Sequence, residues 1–246
     1  MTTSRKRPLC SLRFVSAGTY DENLSLLLDL IARSPEEAVV VAPEVCLTNF
    51  DYDRFDAAAD FTPYALERLL PLSARRTLIL TVIERRDGGI YNVAKVLHGG
   101  RIIHQQAKSR LFRLGEEHRH FSEGSDDAVM LFDVEGLKMG VLICFELRFK
   151  SLWQRLEGAD LIAVPAQWGK LRAGHFATLT EALAVMNQCY VVASDSANPD
   201  MTGLGGVITP FGEVRRNGNA ACLTVPYDEK EVQKMRRYLD VGINAR

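Results

Sequence analysis

The sequence predicts a mixed α/β protein, with sheets of parallel and antiparallel strands covered by helices in layers. Three observations carry this. Short apolar runs bounded by turn residues outnumber the amphipathic helical stretches. Neighbouring runs are joined by two-residue turns at Gly99-Gly100 and Glu135-Gly136, whereas others are separated by enough chain for a helical crossover. No repeat, low-complexity tract or Pro/Ser-rich linker interrupts the 246 residues, so one domain spanning 1–246 is expected.

Each element follows from local pattern. Leu9–Ser16 reads as a first strand. Asp21 offers an N-cap before Leu24, Leu27, Leu28 and Ile31, whose spacing is helical. Glu37–Ala42 is a short buried strand ended by Pro43, and Pro63–Ala74 reads as a second helix. Thr77–Ile83, Ile90–His98 and Arg101–Gln106 are strands, the last two flanking the Gly-Gly turn; Ala128–Val134 and Leu137–Ile143 repeat that layout. Arg148–Leu156 is helical, Asp160–Val164 a buried strand, and Gly174–Asn187 a longer helix. Cys189–Ser194, Gly206–Thr209 and Ala220–Val225 complete the strands, and Asp228–Tyr238 is a closing helix.

Composition bounds the function. Thirty Lys+Arg against 31 Asp+Glu leave a net charge of -1, which gives no electrostatic case for nucleic acid or an anionic membrane. No run approaches the ~18 apolar residues of a membrane span, and the basic N-terminus lacks an apolar signal-peptide core. The five cysteines, at 10, 46, 144, 189 and 222, form no C-x-x-C and are odd in number. That argues against a disulfide framework or zinc ribbon and favours a reducing, cytoplasmic setting. Dinucleotide, P-loop and G-x-S-x-G motifs are absent. His118 and His120 beside Glu116 and Glu117 lack a completing ligand pair, so they read as a polar loop; neither metal nor cofactor is expected.

Three strand-like runs end in reactive side chains: Val39–Val41 leads to Glu44, Ile102–Ala107 to Lys108, and Val141–Ile143 to Cys144. Carboxyl ends of strands are where α/β folds gather ligands and chemistry. Brought to one rim, acid, amine and thiol would form a nucleophilic site. The carboxylate would take the thiol proton. The ammonium, with the backbone N–H after the cysteine, would stabilise a tetrahedral oxyanion. By residue type alone the alternatives stand: a free cysteine is more often a packing residue, and Glu44 with Lys108 an ordinary ion pair.

Longer segments resolve this. Ala42-Pro43-Glu44 with Leu47-Thr48-Asn49-Phe50 resembles the P-E-x-x-L-T-G-Y segment of the nitrilase superfamily of carbon–nitrogen hydrolases. Lys108-Ser-Arg-Leu-Phe-Arg113 resembles its K-x-H-L-F stretch, and Phe121-Ser-Glu-Gly124 its F-x-P-G turn. Gly140-Val-Leu-Ile-Cys144-Phe-Glu-Leu-Arg148-Phe149 resembles G-x-x-I-C-Y-D-x-R-F; Pro165-Ala166-Gln-Trp168 followed by His175 resembles P-A-x-W…H-W. The segments occur in order over nearly the whole chain.

The resemblance implies a four-layer α-β-β-α sandwich and a triad of Glu44 as base, Lys108 as oxyanion support and Cys144 as nucleophile. It implies a second glutamate eight residues after the lysine, at Glu116, with Glu117 the adjacent competitor. The stretch Lys108–Phe121 is similar to the bacterial omega-amidase branch, which implies a small-molecule carboxamide substrate cleaved through a thioester. An N-carbamoyl-amine hydrolase, a nitrilase, or a non-catalytic binding member of the fold are the other readings. A substrate carboxylate would want a guanidinium, for which Arg110, Arg113 and Arg172 are the nearby choices. Phe50, Phe145, Trp168 and His175 are expected to line the cleft. Family members pair through helices, so a homodimer or higher homo-oligomer is expected. However, the R-A-x-E-N pattern near the end of the long helix is replaced by Leu183-Ala-Val-Met186-Asn187. The other four cysteines are expected to be packing residues.

Overall fold

The computed structural model describes residues 7–243. In chain order its strands are β1 (Pro8–Leu12), β2 (Val39–Val41), β3 (Thr77–Arg86), β4 (Gly89–His98), β5 (Arg101–Ala107) and β6 (Phe132–Val134), then β7 (Leu137–Val141), β8 (Leu161–Ala166), β9 (Tyr190–Asp195), β10 (Gly206–Ile208), β11 (Val214–Arg216) and β12 (Cys222–Pro226). The α-helices are α1 (Tyr20–Arg33), α2 (Phe55–Leu69), α3 (Lys150–Arg155), α4 (Ala173–Met186) and α5 (Glu229–Tyr238).

The strands form two six-stranded sheets, ordered β12-β1-β2-β3-β4-β5 and β11-β10-β9-β8-β7-β6. Parallel pairing joins β1-β2-β3 in one sheet and β7-β8-β9 in the other; the outer pairs are antiparallel. Read from β5 and from β11, the two sheets therefore have the same sequence of pairings. Their parallel centres are buried on both faces, which is why Val39–Val41 and Leu161–Ala166 read as uninterrupted apolar runs.

Alternation along the strands divides the core. Leu9, Val39, Val41, Ile79, Ala94 and Val96 face Met139, Val141, Leu161 and Ala163 of the second sheet. Cys10, Leu12, Val40, Leu78 and Leu80 face outward, under Leu24, Leu27 and Ile31 of α1 and Ala65 and Leu69 of α2. On the far side, Leu152 of α3 and Phe176 and Leu183 of α4 cover the second sheet. The layers are thus helix, sheet, sheet, helix, as the resemblance implied. Ser11 Oγ donates to the Ala193 carbonyl and Ser194 Oγ to that of Leu12, tying the two sheets together through polar bonds.

Local differences from the expectations have physical causes. Helix α1 is capped by Thr19 rather than Asp21, in a reciprocal capping box with Glu22, while Asp21 sits in the first turn. Helix α2 starts at Phe55, eight residues before Pro63, and carries the proline inside it at an exposed position. Its apolar stripe of Phe55, Ala58, Ala59, Thr62, Ala65 and Leu69 is buried, so tertiary packing offsets the missing N–H. It ends where Pro71 follows, and the chain continues as a 3₁₀ turn. The helix expected from Arg148 begins at Lys150, because Cys144–Arg148 forms a 3₁₀ turn of its own. The short edge strand β11 was not anticipated. Among the described residues no helix is long and apolar enough to cross a membrane.

Candidate active site

The chain leaves β2, β5 and β7 at the same end of the sandwich, and those three exits carry Glu44, Lys108 and Cys144. Glu44 follows Pro43; its backbone N–H donates to the carbonyl of Ala166, the last residue of β8, so the two sheets meet at this point. Val45, the next residue, takes φ +38°, a left-handed conformation that costs a β-branched residue about 1–3 kcal/mol. Its N–H is held by Thr81 Oγ1 at 2.6 Å, and the turn aims the Glu44 side chain inward.

Lys108 is anchored at both backbone groups. Its N–H donates to the Asn92 carbonyl at 2.8 Å, and its own carbonyl accepts from Gly124 at 2.8 Å. A Cβ on Gly124 would stand 2.2 Å from the Ala107 carbonyl oxygen, so only glycine lets this turn close on the lysine. Cys144 follows Leu142-Ile143 and adopts φ +46°, a second strained residue, on a turn where strand gives way to 3₁₀ helix. Both strained positions lie in or beside the site, where surrounding contacts fix the conformation.

The side chains converge in a buried cluster. Lys108 Nζ donates to Glu44 Oε1 at 2.7 Å and to Glu117 Oε1 at 2.8 Å, and both Lys108 and Glu44 are fully buried. Glu44 Oε1 also accepts from Asn92 Nδ2 at 2.8 Å, and Oε2 from the Gln167 N–H at 3.2 Å. Glu117 Oε2 accepts from the Phe112 N–H. Glu146, buried beneath, accepts from the Ser109 N–H (2.7 Å), Ser109 Oγ (3.1 Å) and the Ile143 N–H (2.7 Å). It therefore clamps the loop carrying Lys108 to the turn carrying Cys144.

Burial and charge set the proton affinities. For Lys108, burial works against the charged form, but Glu44 and Glu117 outweigh it and its pKa is raised: the ammonium stays protonated. Burial raises Glu44, opposed by Lys108 and assisted by the Glu117 charge. Burial, then the Glu44 charge, push the Cys144 thiol well up, with Lys108 pulling it back. The resting cysteine is a thiol beside a carboxylate of raised proton affinity, an arrangement suited to transfer during attack. Burial raises Glu146 to about 7.

Cys144 opens onto a small cleft of about 20 Å³ lined by Phe112, Phe145, Arg148, Gln167, Trp168, Gly169 and Arg172. Arg148 stacks over Trp168, 4.8 Å from guanidinium carbon to ring centroid, and Arg172 over Phe112 at 5.1 Å. Among the described residues neither guanidinium meets a carboxylate; Arg148 Nη2 contacts His175 Nδ1 at 3.0 Å. Burial, then the Arg172 charge, lower Arg148's pKa. Trp168 is fixed by Asp195, which accepts its backbone N–H at 2.7 Å, and by its indole N–H donating to the Arg172 carbonyl. Larger hollows lie elsewhere: two of about 290 Å³ at the opposite end around Arg7 and Glu135, and one of about 430 Å³ beside the cleft between Arg110, Phe112, Phe145 and Phe149.

The structure brings Glu44, Lys108 and Cys144 together but corrects several neighbours. The carboxylate on Lys108 is Glu117, not Glu116. Glu116 takes φ +60° at the junction of two 3₁₀ turns, which turns its side chain out to a surface pair with Arg119 and places Glu117 inward. Arg110 lies outside the cysteine cavity, paired with Asp126 and stacked on Phe149. Phe50 lies 5.9 Å from Lys108 Nζ and packs on Phe121, so it backs the lysine and does not line the cavity. His175 reaches the cavity only through Arg148. Phe145 and Trp168 line it as expected. His120 stacks on Tyr52 and Phe55, with centroids at 4.2 and 5.3 Å. Asn92, Gln167, Glu146 and Arg148 were not singled out as site residues; the buried polar positions of Asn92 within an apolar strand and Glu146 beside the thiol were the available signals.

Comparison with known proteins identifies the family and the fold. The profile of the carbon–nitrogen hydrolase family matches residues 13–217. The chain is 32% identical to the deaminated glutathione amidase of Escherichia coli O157:H7, covering 95% of each chain. It is 31% identical to the 2-oxoglutaramate amidase of Bacillus subtilis strain 168, covering 83% of each. The crystal structure of Saccharomyces cerevisiae Nit3, a member of branch 10 of the nitrilase superfamily, superposes with a TM-score of 0.86 at 23% identity, over 97% of this chain and 96% of that one.

Proposed function

The chain belongs to the carbon–nitrogen hydrolase family, and from that premise we propose that it is an omega-amidase-like enzyme: it hydrolyses the amide of a small molecule that also carries a free carboxylate. The observation that carries the substrate class is the Arg148/Arg172 pair, two cations without carboxylate partners among the described residues, on the wall of the cavity that opens onto Cys144. Two guanidiniums held 4.8 and 5.1 Å over aromatic rings repel one another until an anion arrives, and a carboxylate matches their fork geometry. Two relatives, named for amidase activity on 2-oxoglutaramate and on deaminated glutathione, support the class.

In this reading Cys144 Sγ attacks the amide carbonyl while Glu44 accepts the thiol proton. Lys108 and the Phe145 N–H stabilise the oxyanion, and Glu44 returns the proton to the departing ammonia. Water, deprotonated by Glu44, then hydrolyses the thioester to the carboxylic acid and restores the thiol. Glu117, on the other side of Lys108, holds the ammonium in place. Its carboxylate keeps the lysine charged and leaves Glu44 free to exchange protons.

Ammonia release from a matched panel tests the assignment: dicarboxylate monoamides, the same amides with the carboxylate esterified, N-carbamoyl amino acids, and nitriles. Monoamides are expected to turn over well ahead of their esters. Preferential cleavage of carbamoyl compounds or nitriles would move the same triad to another substrate class, and no turnover of any would favour a binding protein. Assembly as a homodimer is part of the proposal. Val185 and Met186 at the end of α4, with Leu171 before it, are exposed apolar side chains that a second copy would cover; light scattering showing a monomer removes this part.

A further inference from the structure

We propose that Cys10 and Cys222 form a peroxide-responsive dithiol, in which Cys222 is oxidised first and Cys10 then resolves it to a disulfide joining the first and last strands. This uses none of the amide chemistry above, and departs from the expectation that every cysteine but Cys144 serves only for packing.

The placement is specific. β12 is the outermost strand of its sheet, antiparallel to β1. Cys10 pairs with Thr224 and Leu12 with Cys222, so the two cysteines are diagonal neighbours on one face. The Thr224 hydroxyl lies 3.4 Å from Cys10 Sγ and 3.8 Å from Cys222 Sγ, contacting both sulfurs. Cys10, Cys46, Cys144 and Cys189 are buried, whereas Cys222 is partly exposed at the sheet edge.

The chemistry divides between the two. The Cys10 thiol and then the Thr224 hydroxyl support negative charge on Cys222, whose pKa is lowered to about 7. Cys10 is pushed up, first by that same contact and then by burial, so it holds the proton. By contrast burial raises Cys46 to about 12. A lowered proton affinity and access to solvent are the properties that select a cysteine for oxidation. The Cys222 thiolate attacks one oxygen of a hydroperoxide. Sulfur loses two electrons, the O–O bond breaks, and the departing oxygen takes a proton to leave as water or an alcohol. Cys10 Sγ then attacks the sulfenic sulfur: the S–S bond forms, S–OH breaks, and the hydroxyl leaves as water with the Cys10 proton.

Diagonal neighbours in a regular ladder have Cα atoms about 7–8 Å apart, slightly beyond the roughly 4.4–6.8 Å of a disulfide. Closure therefore slides β12 along β1 by about an ångström, which a strand paired on one side can accommodate. The product links the two ends of the fold across nearly the whole chain, and its strain keeps it reducible.

The test is peptide mapping of the full-length protein after treatment with hydrogen peroxide and blocking of free thiols. The expected product is an intramolecular Cys10–Cys222 linked peptide, lost on adding a thiol reductant, with a Tm above that of the reduced protein. In Cys10→Ser the Cys222 sulfenic acid should persist and be trapped by dimedone; in Cys222→Ser no link should form. The proposal fails if the wild-type protein yields no linked peptide, or if Cys222 over-oxidises as fast in wild type as in Cys10→Ser. The wild-type map needs no variant to fold.

Discussion

The floor and the wall of the active-site cavity are built on opposite principles. On the floor the charged groups are all hydrogen-bonded: Lys108 sits between Glu44 and Glu117, and Glu44 receives three donors. On the wall, 4.8 and 5.1 Å above aromatic rings, Arg148 and Arg172 have no carboxylate among the described residues. A buried charge network left incomplete would be costly, so the floor has to be assembled before substrate arrives. Cations at a partly open wall remain solvated and can wait for a partner. The difference separates reaction from selection: the floor suits any acyl carbon, while the wall favours molecules that bring an anion.

The largest effects should come from the floor. Cys144→Ala is expected to lower kcat by on the order of 10⁴-fold or more, since among the described residues no other nucleophile lines the cavity. Glu44→Gln should cost on the order of 10²–10⁴ and, in mass spectra, accumulate the thioester, because deacylation also lacks its base. Glu117→Gln should lower kcat, whereas Glu116→Gln, changing a surface group paired with Arg119, should leave it within twofold. Equal effects at 116 and 117 would break the assignment of the buried partner.

Mutations of the wall should act on KM and only for anionic substrates. A charge-assisted hydrogen bond contributes about 1.5–3 kcal/mol, so Arg148→Met or Arg172→Met should raise KM for a dicarboxylate monoamide by roughly 10–100-fold. The corresponding ester should be unaffected. The double variant should fall short of the product of the two, because both arginines address one carboxylate. A loss of kcat on the neutral ester would instead place the arginines in the chemistry of the floor.

What the sequence made legible follows the same division. Glu44, Lys108 and Cys144 each follow a strand, but residue type left them open to an ion pair and a packing thiol, and the ordered family segments set them apart. Glu116 and Glu117 could not be told apart by counting, since the choice turns on a left-handed φ of +60° at Glu116 that no residue type announces. Arg110 attracted attention by nearness to Lys108, but its charge is taken by Asp126 across a loop. Arg172 is among the cations the sequence offers and Arg148 is not; both reach the cavity from 3₁₀ turns, where side-chain direction depends on tertiary packing against Trp168 and Phe112. The dithiol was hidden for a related reason: Cys10 and Cys222 become neighbours only through the antiparallel register of β1 and β12.

The smallest effect concerns how the floor is held together. Glu146 is fully buried and spans from Ser109 to Ile143, and burial raises its pKa to about 7, above the roughly 4.3 of a free glutamate. The folded state thus binds more protons than the unfolded chain between those values. The contribution of this group is fully present below about pH 4.3, declines as pH rises, and is lost once pH passes about 7; its size is on the order of 3 kcal/mol. Glu146→Gln cannot titrate, so urea unfolding measured from pH 5 to 8 should show a flatter pH dependence than the wild type. The amide also puts a donor against one of three donors, which should lower stability at every pH by about 1–3 kcal/mol. Because the clamp positions Lys108 against Cys144 without touching substrate, kcat should fall modestly with KM unchanged. Identical pH slopes in the two proteins would mean that the carboxylate stays charged in its nest of donors throughout, and that its bonds alone, without a proton, join the lysine loop to the cysteine turn.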